Sequence, residues 1–144
     1  VDILAEDGPQ SLSALFANLD RKRPLVVITE GLVNYFQRPL IEDFWTRLAR
    51  VLADFPQATY LTELYPDLRE HPRYRQIRWG VGLIGRLTRG GYPLHYRSEA
   101  EIAEAFRRCG FAAVDVLNPQ EHSAELGLAQ GRMPSLVRVI EART

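Results

Sequence analysis

Cysteine is nearly absent from the chain. A lone Cys109 excludes any intrachain disulfide and is in keeping with a reducing cytoplasm. Charge of one sign is missing too. Lys+Arg and Asp+Glu both count 18, giving a formal net charge of zero, whereas a polyanion-binding domain carries a basic excess; no nucleic acid is expected as partner. No apolar run approaches the roughly 18 residues of a membrane span, and the opening residues lack the charged start and apolar run of a signal peptide, so no membrane is expected either. Repeats, low-complexity tracts and linkers rich in Gly or Ser are also lacking. His71, His95 and His122 are scattered without ligand spacing, which argues against a metal site. No Ser-His-Asp or Cys-His arrangement and no phosphate loop is suggested.

What is present suffices for one folded unit, residues 1–144, of which 46% are apolar. Leu12, Leu15, Phe16 and Leu19 lie on one face of a short helix within Ser11–Asp20. The β-branched run Pro24–Thr29 predicts a strand buried on both faces. A helix opens at Pro39, keeps Leu40, Ile41, Phe44, Leu48, Val51 and Leu52 on one side, and stops before Pro56. Ala58–Tyr65 reads as a second strand. Ser98 and Glu101 form a capping box for a helix that Gly110 ends. Phe111–Leu117 and Ser135–Ala142 are the last strands, joined across 118–134 in a long antiparallel hairpin. Trp45 and Trp79 read as packing residues and Cys109 as a buried thiol. The order predicts an α/β fold, mainly parallel strands ending in an antiparallel hairpin.

Residues 66–93 stand apart as a helical insert. Tyr74, Ile77, Val81 and Ile84 share a face, with Arg69, Arg73, Arg75, Arg78, Arg86 and Arg89 around them. Such a segment reads either as a lid over a pocket or as a surface helix with one packed face. Gly80, Gly82 and Gly85 mimic a dinucleotide-binding spacing, but inside a helix pattern and not after a strand, which makes the match a coincidence.

The segment richest in chemistry is Thr29-Glu30-Gly31-Leu32-Val33-Asn34-Tyr35-Phe36. Ligands of open α/β sheets bind beyond the carboxyl ends of strands, and a carboxylate there is poorly explained by packing. A cationic or amino-bearing ligand is its natural partner, and Gly31 permits a sharp turn or a close approach. His95, in a loop before a helix, is a further candidate for the pocket wall.

Residues 24–36 resemble the E-G-L-x-x-Y segment of the leucine carboxyl methyltransferase family of S-adenosylmethionine-dependent O-methyltransferases, which has many bacterial members. Tyr92–Ser98 with Arg108–Phe111 is similar to that family's late strand–helix junction, Asp115–Ala142 to its closing hairpin, and Val1–Pro9 to the end of the strand that reads the adenine. The resemblance implies a class I methyltransferase sheet of Rossmann-like type, with S-adenosylmethionine as cofactor and a small-molecule hydroxyl or carboxylate as acceptor. It implies that Asp2 accepts from the adenine amino group with Ile3 against the ring. Glu30 would face the cofactor's methionine part beside Gly31, and Tyr35 would stand near the methyl-transfer site. From the residues themselves, Tyr35, His95 or an arginine of the insert is the group that would serve the acceptor, with the choice among them open. The family's Gly-rich loop and its ribose-binding acid have no match here. The chain therefore reads as the C-terminal half of a larger domain, beginning at the end of a strand. The expected partners are the missing N-terminal half or a second copy, and the alternative role is a catalytically silent half-domain acting by association.

Overall fold

A computed structural model describes residues 2–67, 74–76, 79–80, 82, 94–125, 127 and 135–144. Four strands build one sheet: β1 (Leu25–Thr29), β2 (Ala58–Leu64), β3 (Ala113–Leu117) and β4 (Arg138–Arg143). Outside residues 66–93, three helices accompany them among the described residues: α1 (Leu12–Phe16), α2 (Arg38–Leu52) and α3 (Glu99–Arg108). A single 3-10 turn, Val33–Tyr35, follows β1.

The strand order is β1-β2-β4-β3. β1 and β2 run parallel, with Leu25 opposite Ala58 and Thr29 opposite Thr62. β4 is antiparallel to both its neighbours, so β1, β2 and β3 share one direction and β4 alone is reversed. This is the mainly parallel sheet with a closing antiparallel hairpin that the sequence predicts. The last strand does not add to the outside of the sheet. It inserts between β2 and β3, where both of its edges are satisfied.

Alternation along β2 decides which face is covered. Ala58, Tyr60, Thr62 and Leu64 are buried while Thr59, Leu61 and Glu63 are partly open. α2 and α3 lie on the buried face, and both reach Tyr60: its ring is 6.3 Å from Phe44 and 6.2 Å from Phe106. Trp45 packs on Phe106 with ring centroids 4.0 Å apart. Ile41, Leu48, Leu52, Ile102 and Ile140 complete this core. Removing a ring as large as Phe106 from such packing costs about 3–5 kcal/mol. Cys109 is buried as expected, its thiol donating to the Glu42 carbonyl at 3.4 Å.

Three expectations are corrected. β1 is not buried on both faces: Val26 and Ile28 are 58% and 69% exposed, because both long helices sit on the opposite face and β1 is an edge strand. α1 is half the predicted length, and Leu15 and Leu19 are exposed while Leu12 and Phe16 are buried. Trp45 is a core residue, whereas Trp79 is 74% exposed. Most of the predicted insert, with Arg69, Arg73, Arg78, Arg86 and Arg89, lies outside the described residues, as do His71 and Gly85. Those of its residues that are described at 74–76, 79–80 and 82 are helical, so Gly80 and Gly82 do not form a phosphate-binding turn. Among the described residues no helix is long and apolar enough to cross a membrane, and no group of three or more His, Cys, Asp or Glu could hold a metal.

Candidate functional site

β1 and β2 end side by side, and the segments leaving them are tied together by a series of bonds that prolongs their ladder. At its last register, Thr29 Oγ1 donates to Thr62 Oγ1 at 2.9 Å and so accepts from Tyr60 Oη at 2.7 Å. Burial pushes the Tyr60 hydroxyl above its usual range, although Thr29, Thr62 and Trp45 oppose this, so it stays a neutral donor. One step on, the Gly31 amide donates to the Glu63 carboxylate. Further out, the Tyr65 amide donates to Asn34 Oδ1 at 2.9 Å and Asn34 Nδ2 returns a bond to the Tyr65 carbonyl at 3.2 Å. Asn34 is only 3% exposed, and its amide thereby serves as one more rung between the two chain segments.

This clamping explains the local backbone. Gly31 has φ of +63°, a left-handed conformation that turns the chain out of β1 into the 3-10 turn. The turn directs Val33 and Asn34 inward, at 1% and 3% exposure, and leaves Tyr35 at 53%. Between the two tied strand ends opens a cleft of ≈ 580 Å³, lined by Ile28, Thr29, Glu30, Gly31 and Tyr35 from one side and by Leu61, Thr62, Glu63 and Tyr65 from the other, with Val139 of β4.

Of the residues singled out by sequence, Glu30, Gly31 and Tyr35 are brought together in this cleft. Asp2, Ile3 and His95 are not among its lining residues. Asp2 is exposed and caps its own turn, Oδ1 accepting from the Leu4 amide at 2.9 Å. Ile3 packs on the edge of the core, and Arg47 holds that segment to α2 through the carbonyls of Ile3 and Ala5 at 2.8 and 3.0 Å. His95 lies behind the 3-10 turn. Burial lowers its pKa below the usual 6.5, the backbone of Phe36 and Val33 opposing and Arg38 adding to the fall. Its Nε2 is enclosed with no hydrogen-bond partner among the described residues. Sequence reasoning missed Asn34 and Glu63. Asn34 stood inside the quoted motif, and a polar residue between Val33 and Tyr35 was the signal; Glu63 carried none, since the register that carries it alongside Gly31 is tertiary.

Arg38 knits α2, α3 and the loop of His95. It donates to Glu42 and Glu101, each at 2.8 Å, and stands 4.5 Å over the Tyr96 ring. Tyr96 Oη donates to Glu42 at 2.9 Å. Burial, and then Glu42, push the Tyr96 hydroxyl well above its ordinary range. The Arg97 amide first, and then Arg38, hold the Glu101 carboxyl below its ordinary value, with burial opposing.

A sheet in which a reversed last strand is inserted next to a run of parallel ones, with the cleft at their carboxyl ends, is the class I methyltransferase-like arrangement. Solved structures agree. The chain superposes with a TM-score of 0.56 on a candidate O-methyltransferase from Nostoc punctiforme, at 12% identity, covering 83% of this chain and 31% of that one. It superposes at 0.53 on mycolic acid cyclopropane synthase CmaA1 complexed with SAH and CTAB, at 14% identity over 89% and 57% of the two chains. A possible exported protein from Bordetella parapertussis gives 0.54 at 15% identity, over 90% and 42%. The chain thus spans 31% to 57% of the length of these structures, and the likeness is one of fold. No protein-family model and no curated protein matches the sequence.

Proposed function

We propose that the chain is the C-terminal part of an S-adenosylmethionine-dependent methyltransferase of the leucine carboxyl methyltransferase type, moving a methyl group to an oxygen of a small molecule. The observation that carries this reading is the meeting of Glu30, Gly31 and Tyr35 in one cleft at the carboxyl ends of two parallel strands. Methyl transfer needs an acceptor oxygen, a methyl carbon and a sulfonium in line, and little else from the protein than positioning. The residues present suit that demand. Glu30 offers a carboxylate to the positive charge of the sulfonium or of the cofactor's amino group. The left-handed Gly31 keeps a side chain out of the way, and Tyr35 presents a ring and a hydroxyl to the acceptor. In this reading Asp2 and Ile3 meet the adenine and His95 stands near the acceptor only when the remainder of the domain is in place.

Calorimetric titration of S-adenosylhomocysteine tests the proposal, on this chain and on its longer parent protein. Micromolar binding weakened about tenfold by Glu30→Gln is the expected outcome, the loss of one charge-assisted pair. Binding by the parent alone assigns the affinity to the rest of the domain. Binding by neither sinks the reading.

A second reading, a silent half-domain acting by association, is favoured by one observation. Val26 and Ile28 expose an apolar strip on β1, the edge strand of the sheet. An edge of that kind takes up further chain readily. The two readings meet if the partner is an N-terminal half of the same methyltransferase domain.

A further inference from the structure

The cleft is one-sided in charge. Apart from its tyrosines, the ionisable residues lining it are Glu30 and Glu63, and no Lys, Arg or His is among the described lining residues. Glu63 is not free to swing away from the cleft, because its carboxylate accepts the Gly31 amide. The cleft's other lining residues are the apolar Ile28, Leu61 and Val139, the tyrosines Tyr35 and Tyr65, and Thr29, Gly31 and Thr62. From this lining we infer that Glu63 determines specificity, so that the cleft takes a neutral or cationic acceptor with an aromatic or apolar body and rejects one bearing a carboxylate or phosphate. The inference rests on the methyl-transfer reading of the same cleft and narrows its acceptor from hydroxyl or carboxylate to the former.

Two physical effects point the same way. Like charges brought together at a partly dry surface repel, and with Glu30 matched by the cofactor's positive charge that repulsion acts on an anionic acceptor from Glu63. An ammonium is instead drawn by the Glu63 carboxylate. The apolar residues reward a flat hydrocarbon body whatever its charge. Charge therefore selects, while shape and apolar area hold.

The test uses three probes that share one ring and hydroxyl and differ only in charge: para-hydroxybenzylamine, para-hydroxybenzyl alcohol and para-hydroxybenzoate. Their binding is followed by the amide resonances of Gly31 and Glu63, in the chain and in Glu63→Gln, whose side-chain oxygen still accepts the Gly31 amide. The amine is expected to bind about tenfold more tightly than the benzoate, with the alcohol between, and the gap to narrow with salt. Glu63→Gln is expected to bring amine and benzoate to within about threefold of each other. Equal binding of amine and benzoate to the original chain overturns the inference, as does an unchanged ratio in the variant, or no probe binding at the cleft. S-adenosylhomocysteine titrated into the same samples keeps the two claims apart. Cofactor binding alongside any of those failures leaves methyl transfer standing and removes the acceptor assignment. Charge selection with no cofactor affinity in the chain or in its longer parent keeps the selectivity of the cleft and removes the methyl-transfer reading.

Discussion

Asn34 has no chemistry of its own in the cleft, yet its side chain spans the gap between the 3-10 turn and the end of β2 with both halves of its amide. Asn34→Ala would leave the Tyr65 amide and carbonyl without those partners, and a stability loss of about 2 kcal/mol is expected in urea denaturation. The amide of Tyr65 should then exchange faster with solvent while Val27 and Tyr60, deep in the ladder, stay protected. His95 behaves differently, because what counts there is a charge it avoids. Its pKa is lowered by burial, so below about pH 6.5 the unfolded chain takes a proton that the folded chain resists. Its contribution is full above about pH 6.5 and is lost as the pH falls toward the lowered folded value. Melting temperatures measured between pH 8 and pH 5 should drop accordingly, and His95→Gln should flatten that part of the profile. Glu101 acts lower on the scale, since its depressed carboxyl stabilises above the ordinary carboxylate value of 4.5 and ceases to do so only as the pH falls further.

At the scale of elements, α3 is the piece whose formation the sequence dictates most completely. Ser98 Oγ accepts from the Glu101 amide at 3.1 Å, and Glu101 Oε2 accepts from the Arg97 amide at 2.9 Å, one residue before the reciprocal partner of a capping box. Glu99 and Glu101 stand in the first turn and Arg107 and Arg108 in the last, each favourable to the helix dipole. Ser98→Ala should cost about 1 kcal/mol by loss of the cap. Phe106→Ala should cost about 3–5 kcal/mol, since its ring is shared by Trp45, Tyr60 and Phe111. Chemical denaturation of the two variants separates a local from a core effect. The 3-10 turn had no such signature. Its single turn follows from Gly31 and from the bonds of Asn34, contacts made across 31 residues.

Over the whole molecule, the uncovered face of the sheet is divided. Its β3–β4 side carries Asp115, Glu141 and Arg143, with Arg143 paired to both acids. Its β1–β2 side carries Val26, Ile28 and Leu61, placed in register by the parallel pairing. The charged half suits water and the apolar half suits a covering layer. Val26→Lys combined with Ile28→Lys is therefore expected to leave the core intact, shifting the melting temperature little. In sedimentation equilibrium the same pair should weaken association, whether with a second copy or with an added N-terminal half.

The sequence by itself determined the elements and the reading of the fold, because their signals are local. Strand runs, helix faces, the Ser98 cap and the glycine at the end of β1 are written in residues within a few positions of each other. It also marked Glu30, Gly31 and Tyr35, which share one short segment. Only the tertiary structure decided that β4 lies between β2 and β3, that the face of Val26 and Ile28 is open, and that Glu63 and Asn34 close the gap between two strand ends. Those outcomes depend on register and on which face the helices choose. Both are fixed by contacts between residues far apart in the chain, for which a single sequence carries no period or motif.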